Sequence, residues 1–545
     1  MIQTLPTVAT SLEKNAISQA AAYYANSLAE NLLKQSPNIK MTIELWKREQ
    51  TAETSLMSSL EKNQELKTMV LDETPWVAEA HHESDQKRLL SNYFDENALR
   101  YRLDNNLSNL QKLQNGDGSW SWWQGMSGSL HMTVAVSKML VRLNTMLDNP
   151  SSDTQEMLDK AYGFMGHQIL KEVEEMKKME KKGAKNVRPS ETAIDWLYLT
   201  TLDGRKLSDR VQEAKTYLIN RLSKQTRDFT IYGKAVSAII LGKNGHEKMA
   251  KDYLKSIREY SVFTEEMGRY FDTQKAGYSW FDYKIPTEVA AIEAIRLLQP
   301  QDTQTVEEMQ RWLLQEKRTQ QWNTPINAVN AVYAFMGDEM NEKLAPMNAQ
   351  LSVLKVDGRE IETSQATAGL GYVKSTQEGR NFKTFTAEKT SDGTSWGAIY
   401  TRSFQPVSEI ADASSGLKVK REVFINTQHP TPNTQHPTLK VGDRVKVRIT
   451  IEAERDYDFV QVSDKRAACM EPVGQLSGYR WGYYCAPRDN VTNYYFDRMA
   501  KGRHIVETEY YVDRTGRYQT GTCTVQCAYS PEYTARTAAE WFEVK

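Results

Sequence analysis

Apolar residues recur at helical spacing through the first 340 residues. The runs span 20–33, 134–143, 161–176, 193–202, 211–222, 235–241, 250–260, 289–298 and 306–314. Breakers separate them, among them Ser36-Pro37, Asn149-Pro150, Arg188-Pro189, Asp203-Gly204 and Pro286. Two runs open on capping signals, Pro189-Ser190-Glu191-Thr192 and Pro286-Thr287-Glu288. Roughly a dozen short helices joined by a few residues each suit a closed helical array. The charged run 171–185 reads as a solvated helix end.

Near Leu344 the pattern changes to alternation. Stretches 350–356, 396–402, 417–425, 445–452 and 504–512 predict strands. Gly-containing turns recur at Asp357-Gly358, Asp392-Gly393, Val441-Gly442-Asp443 and Thr515-Gly516. The expected organisation is an α/α toroid over 1–340, a first antiparallel β-sandwich unit over 341–415 and a second over 416–545. Residues 426–438 repeat Asn-Thr-Gln-His-Pro-Thr in tandem. That segment reads as a duplicated loop rather than a metal site built from His429 and His436.

Composition removes several classes of function. The 545 residues carry a formal net charge of −1, so no global field favours nucleic acid or an anionic membrane. No stretch approaches the ~20 apolar residues of a membrane helix, and residues 1–19 lack the pattern of a secretory signal. The four cysteines all fall late, at Cys469, Cys485, Cys523 and Cys527. An even, clustered set predicts a disulfide-stapled domain in an oxidising compartment. On one strand, Cys523 and Cys527 would lie about 13 Å apart, beyond the roughly 7 Å limit for a bridge. The expected pattern therefore links Cys469 and Cys485 to that pair.

Ordinary catalytic motifs are missing: there is no His-Glu-x-x-His, no Gly-x-Ser-x-Gly and no P-loop. His81-His82-Glu83 lacks the i, i+4 spacing of a zinc site. Glu265, Glu266 and Asp272, beside Tyr270, Phe271 and Trp280, are the best candidates for a glycosidase pair of carboxylates. No cofactor is expected.

The most informative segment is Gln114 to Trp123, in which Gln114, Gly118 and Trp120 have the spacing Gln-x-x-x-Gly-x-Trp. A Gln side chain satisfies backbone groups at a helix end, glycine permits φ > 0, and a Trp covers a large area between helices. This spacing resembles the repeat of terpene cyclases and of the thioester domain of α2-macroglobulins and complement proteins. A terpene cyclase would need an Asp-x-Asp-Asp cluster, and none is present. A prenyltransferase would need cysteine among its zinc ligands, and the helical region has no cysteine.

Two further stretches resemble bacterial α2-macroglobulins. Residues 311–329 resemble the last helix hairpin of their thioester domain. The segments 464–472, 494–498, 501–504, 514–518 and 529–533 resemble their terminal β-sandwich. The resemblance implies that the chain is a piece of a longer protein, with an interrupted CUB-like β-domain before the terminal macroglobulin-like sandwich. In that family a Cys-x-Glu-Gln motif forms an internal thioester. Here Ala16-Ile17-Ser18-Gln19 stands at that position. Gln19 is kept, but Ala16 has no nucleophilic atom, so no thioester can form.

The resemblance implies a protein of the periplasm or cell envelope whose partners are proteases, trapped non-covalently, with other envelope proteins as further partners. It does not imply an enzyme. Two rival readings are a structural or interaction module and a carbohydrate-active enzyme using the toroid cavity.

Overall fold

A computed structural model describes residues 4–9, 14–35, 92–147, 149–224, 230–265, 267–272, 284–319, 322, 324–336, 353–361, 382–389, 399, 404–425, 438–528 and 530–545. The helices are α1 (Leu5–Ala9), α2 (Ala16–Gln35), α3 (Glu96–Leu113), α4 (Leu130–Met146), α5 (Ser152–Lys181) and α6 (Glu191–Asp203). They continue as α7 (Asp209–Leu222), α8 (Ile231–Lys243), α9 (Glu247–Tyr260), α10 (Lys284–Leu298), α11 (Thr303–Thr319) and α12 (Pro325–Met336). All nine expected helical runs lie within these elements.

The even-numbered helices form a ring: α2 packs on α4, α4 on α6, α6 on α8, α8 on α10, α10 on α12, and α12 returns to α2. Their sequences explain why they sit inside. Helices α4, α8, α10 and α12 are apolar around most of their circumference and are buried nearly throughout. The odd-numbered helices α5, α7 and α9 are amphipathic. Helix α9 buries Ala250, Tyr253, Leu254 and Ile257 at i, i+3, i+4 and i+7 and turns lysines outward. It packs on α8, as α3 packs on α2 and α5 on α4.

Contacts also fix helix direction. Lys138 meets Asp195 and Arg142 meets Tyr198, so α4 and α6 run the same way. Asp195 meets Tyr232 and Thr201 meets Asn244, so α8 follows them. Between α2 and α3 the order reverses, with Gln19 against Asn106 and Asn26 against Arg102.

A short antiparallel hairpin interrupts the helices. Strands β1 (Ser261–Thr264) and β2 (Gly268–Phe271) form it. The helical reading of residues 1–340 missed this pair. Later, β3 (Val353–Val356) pairs with β4 (Arg359–Glu360) and with β5 (Phe385–Glu388). The Asp357-Gly358 turn has φ of 47° and 76°, the left-handed pair that a two-residue hairpin loop requires. The expected strand at 396–402 and turn at 392–393 lie outside the described residues, apart from residue 399.

The C-terminal unit holds two antiparallel sheets around one core. The first has four strands in the order β11 (Met470–Pro472), β15 (Gly502–Val512), β9 (Arg444–Ala453), β7 (Leu417–Ile425). The second has seven. Their order is β12 (Gly478–Arg480), β13 (Tyr483–Pro487), β14 (Val491–Met499), β10 (Tyr457–Lys465), β17 (Cys523–Cys527), β18 (Thr534–Arg536), β6 (Ala413–Ser415). Along β9, Val445, Val447, Ile449, Ile451 and Ala453 alternate inward and meet Val460, Val462 and Val525 of the other sheet. A third sheet of β16 (Gly516–Gln519), β19 (Trp541–Val544) and β8 (Thr438–Leu439) includes a parallel pair, β19 with β8. A buried ion pair crosses the sandwich: Arg421 of β7 donates to Asp464 of β10 at 3.1 Å, and also to Thr520 Oγ1 and the carbonyl of Gly521. Burial pushes the Asp464 carboxyl above its ordinary pKa, against the pull of Arg421.

The cysteines depart from the expected pattern. All four are free, buried thiols. Cys485 lies on β13, with β14 and β10 between it and β17, which carries Cys523 and Cys527. Three interstrand spacings amount to about 14 Å, twice what a bridge can span. Closeness in sequence did not become adjacency in the sheet. Burial pushes the thiols of Cys469, Cys485 and Cys523 up from their usual value.

Candidate functional site

The Gln-Gly-Trp turn joins α3 to α4 and clamps both to α5. Gln114 is the last residue of α3's cap and pairs across the turn with Trp120. Its Nε2 donates to the carbonyl of Gly118 at 3.0 Å and to that of Met157, on α5, at 2.9 Å. Gly118 has φ +87°, and a Cβ there would stand 2.1 Å from the carbonyl oxygen of Lys160. Only glycine lets the turn approach α5 this closely. Trp120 is fully buried; its Nε1 donates to the Leu110 carbonyl and its backbone N–H to Thr133 Oγ1. Asp117 accepts from the backbone and hydroxyl of Ser119, and the hydroxyl bond above all holds its carboxyl below the usual range. Trp122 and Trp123, next in the chain, are about half exposed.

Ala16 opens α2. Asn15 caps that helix, accepting from the Ser18 N–H through Oδ1 at 2.8 Å. Ala16 is fully buried and Gln19 nearly so. One turn into the helix, the Gln19 carboxamide oxygen accepts from Asn106 Nδ2 at 3.3 Å. Asn106 in turn accepts from Asn26, and Asn26 from Arg102. Burial lowers the Arg102 pKa, opposed by Tyr93 and Asp95. The site therefore contains a carboxamide engaged in helix packing beside a methyl group. No nucleophilic atom stands at position 16.

The ring's axis holds a polar cluster absent from the sequence expectations. From α4, Arg142 Nε donates to Tyr198 Oη on α6 at 2.9 Å, Nη1 to Asn330 Oδ1 on α12 at 2.6 Å, and Nη2 to Glu293 Oε2 on α10 at 2.8 Å. Tyr198 and Tyr333 both donate to Glu293, each at 2.8 Å. The guanidinium also lies 4.3 Å from the Tyr333 ring centre. Burial works to lower the Arg142 pKa, but Tyr198, Glu293 and Tyr333 outweigh it and hold the pKa well above the usual value. Nearby, Lys138 donates to Tyr232, which donates to Asp195. Burial first, with Arg142 adding to it, depresses the Lys138 ammonium. The available signal was charge inside otherwise apolar helices, Lys138 and Arg142 within Val134–Met146 and Glu293 and Arg296 within Val289–Leu298.

The remaining candidates are scattered. Glu265 is exposed at the β1–β2 turn, where its backbone carbonyl accepts from Arg311. Tyr270 stacks on Trp312 with ring centres 6.2 Å apart. Glu266, Trp280, His81, His82, Glu83, His429 and His436 lie outside the described residues. Among the described residues no group of His, Cys, Asp and Glu has the arrangement of a metal site, and no helix is long and apolar enough to cross a membrane.

Residues 416–532 match the family described as Bacterial Alpha-2-macroglobulin MG10 domain. No curated protein matches the chain. The chain is similar to trypsin-activated alpha-2-macroglobulin from Escherichia coli, at 12% identity and a TM-score of 0.40, covering 83% of this chain and 30% of that one. It is also similar to Salmonella alpha-2-macroglobulin reacted with methylamine, at 13% identity and a TM-score of 0.34, covering 100% and 31%. A third similar structure is Escherichia coli alpha-2-macroglobulin activated by porcine elastase, at 14% identity and a TM-score of 0.36, covering 83% and 39%. The chain thus spans between 30% and 39% of the length of these relatives.

Proposed function

We propose that this chain, which carries a bacterial alpha-2-macroglobulin MG10 domain, serves a protease-trapping protein that holds its targets sterically, without a thioester. The observation that carries the reading is Ala16. It occupies the first turn of the first inner helix, three residues before a buried glutamine, and the sequence resemblance aligns it with the family's thioester cysteine. A thioester needs a sulfur nucleophile and a carbonyl acceptor; here only the carboxamide is present. Ala16 and Gln19 are in this reading the remains of that bond, and Gln114, Gly118 and Trp120 are the toroid's staple. The protein belongs, on the same reading, to the periplasm or cell envelope. The four free thiols withdraw the disulfide support for that placement, which now rests on the family alone.

The carbohydrate-enzyme reading is weaker because the axis of the ring is occupied. Arg142, Glu293, Tyr198, Tyr333 and Asn330 satisfy one another there.

The test uses the full-length protein with trypsin or elastase. Steric trapping leaves the protease active on a small peptide substrate and inactive on a large protein substrate. Under denaturing conditions the two chains separate. Conjugates that survive denaturation would overturn the non-covalent reading. Equal activity on both substrates would overturn trapping and leave an interaction module.

A further inference from the structure

We infer that the buried polar cluster around Arg142 is a register pin that sets how the helical ring closes, rather than a source of its stability. A guanidinium and a carboxylate, each 7% exposed, lose their hydration on folding, and the attraction between them roughly offsets that loss. Apolar replacements of such pairs are often as stable or more so. The geometry points to what the cluster supplies instead. One side chain on α4 fixes three other inner helices at once: α6 through Tyr198, α10 through Glu293 and α12 through Asn330. Tyr333 adds a second bond from α12 to the same carboxylate.

Helix α12 is where the ring closes, because it packs both on α10 before it and on α2, the first inner helix. Both helices at this seam are rich in buried alanine. Helix α2 carries Ala20, Ala21, Ala25 and Ala29, and α12 carries Ala328, Ala331 and Ala334. Alanine ridges are shallow, so they define the axial position of one helix against another poorly. Asn26 of α2 bonds Asn106 of α3, Asn31 bonds the Met146 carbonyl of α4, and Tyr23 bonds Thr154 of α5, so these bonds hold α2 to its other neighbours. Sliding α12 by one turn would move Asn330 and Tyr333 about 5.4 Å from their partners. The Arg142–Glu293 pair would stay intact but lose both of its α12 partners, and buried polar groups left without hydrogen bonds are costly. The cluster therefore penalises every register but one. A polar group in an apolar seam acts in the same way in coiled coils.

The experiment compares two variants of the whole chain by thermal melting and by hydrogen exchange resolved to individual helices. The first makes the axis apolar: Arg142→Met, Glu293→Met, Tyr198→Phe, Tyr333→Phe and Asn330→Leu together, so that no member of the cluster is left buried without its partner. It is expected to melt at or above the wild-type temperature while exchange in α12 rises at least tenfold relative to α4 and α6. The second, Asn330→Ala with Tyr333→Phe, removes only the α12 side and is expected to raise exchange in α12 alone. If the first variant fails to fold or melts well below the wild type, the cluster is a stability element and the inference is wrong. The inference is equally wrong if α12 keeps its protection in the second variant, or if all inner helices lose protection together.

Discussion

Replacing Gly118 by alanine tests the staple most directly. Two separate effects combine at this position. The backbone sits at φ +87°, where an L-residue costs roughly 1–2 kcal/mol. The new methyl would also stand 2.1 Å from the Lys160 carbonyl oxygen and 2.5 Å from its carbon. Both are backbone atoms of α5, so no side chain can swing aside, and the turn must withdraw from the helix. Withdrawal breaks the reach of Gln114 Nε2 to Met157 and strains its bond to Gly118. Each such bond contributes about 0.5–1.5 kcal/mol. The sum is a loss of about 2–5 kcal/mol. For a unit of more than 300 residues that lowers the melting temperature by roughly 3–7 °C, read by circular dichroism of the helical signal. Gly116 supplies the control. It lies in the same turn, and an added Cβ there meets nothing within 4 Å, so Gly116→Ala should change stability by no more than about 0.5 kcal/mol. A Gly118→Ala protein as stable as the wild type, or a Gly116→Ala protein equally damaged, would refute the reasoning.

Trp120→Ala empties a fully buried site and frees the Leu110 carbonyl; we expect a loss of about 3–5 kcal/mol in urea unfolding, and a loss under 1 kcal/mol would contradict the packing. The Asp117 carboxyl is held below its ordinary pKa by Ser119, so its support is complete above about pH 4 and fades as pH falls through the lowered value; Asp117→Asn should remove that acid sensitivity of the turn, seen in the exchange of the Ser119 amide. Methylamine should leave the mass of the chain unchanged and release no thiol; an adduct at Gln19 would end the claim that the bond is absent. Ellman titration should find few reactive thiols in the native protein and four in denaturant, because Cys469, Cys485, Cys523 and Cys527 are buried and free.

Much of the fold could be read from periodicity, and the exceptions have physical reasons. Runs such as 193–202 and 417–425 became α6 and β7 because their apolar spacing matches what each element buries. Helix α3 was missed because its stripe is narrow: Leu99, Leu103, Leu107, Leu110 and Leu113 stand among polar residues, and only three of them are fully buried. The β1–β2 hairpin was missed because four-residue strands give too short an alternation to stand out among helices. Arg142 and Glu293 are 151 positions apart, and no local pattern joins two charges on separate helices. The cysteines misled for the opposite reason: their clustering in the chain suggested contact, and strand order placed β14 and β10 between Cys485 and the pair on β17. The Gln-x-x-x-Gly-x-Trp spacing was informative because every residue in it is constrained locally, the glycine by φ and the other two by adjacent helix backbones.

The common direction of α4, α6 and α8 makes the two rims of the ring electrically unlike. Their capping residues Ser129, Ser190 and Thr230 all lie at one rim, where each helix presents about half a positive elementary charge, with its counterpart at the far rim. This polarity belongs to the peptide groups. The effect is local, falling off within the first and last turn of each helix, and where an outer helix runs against its inner neighbour, as α3 does against α2, the two dipoles oppose each other.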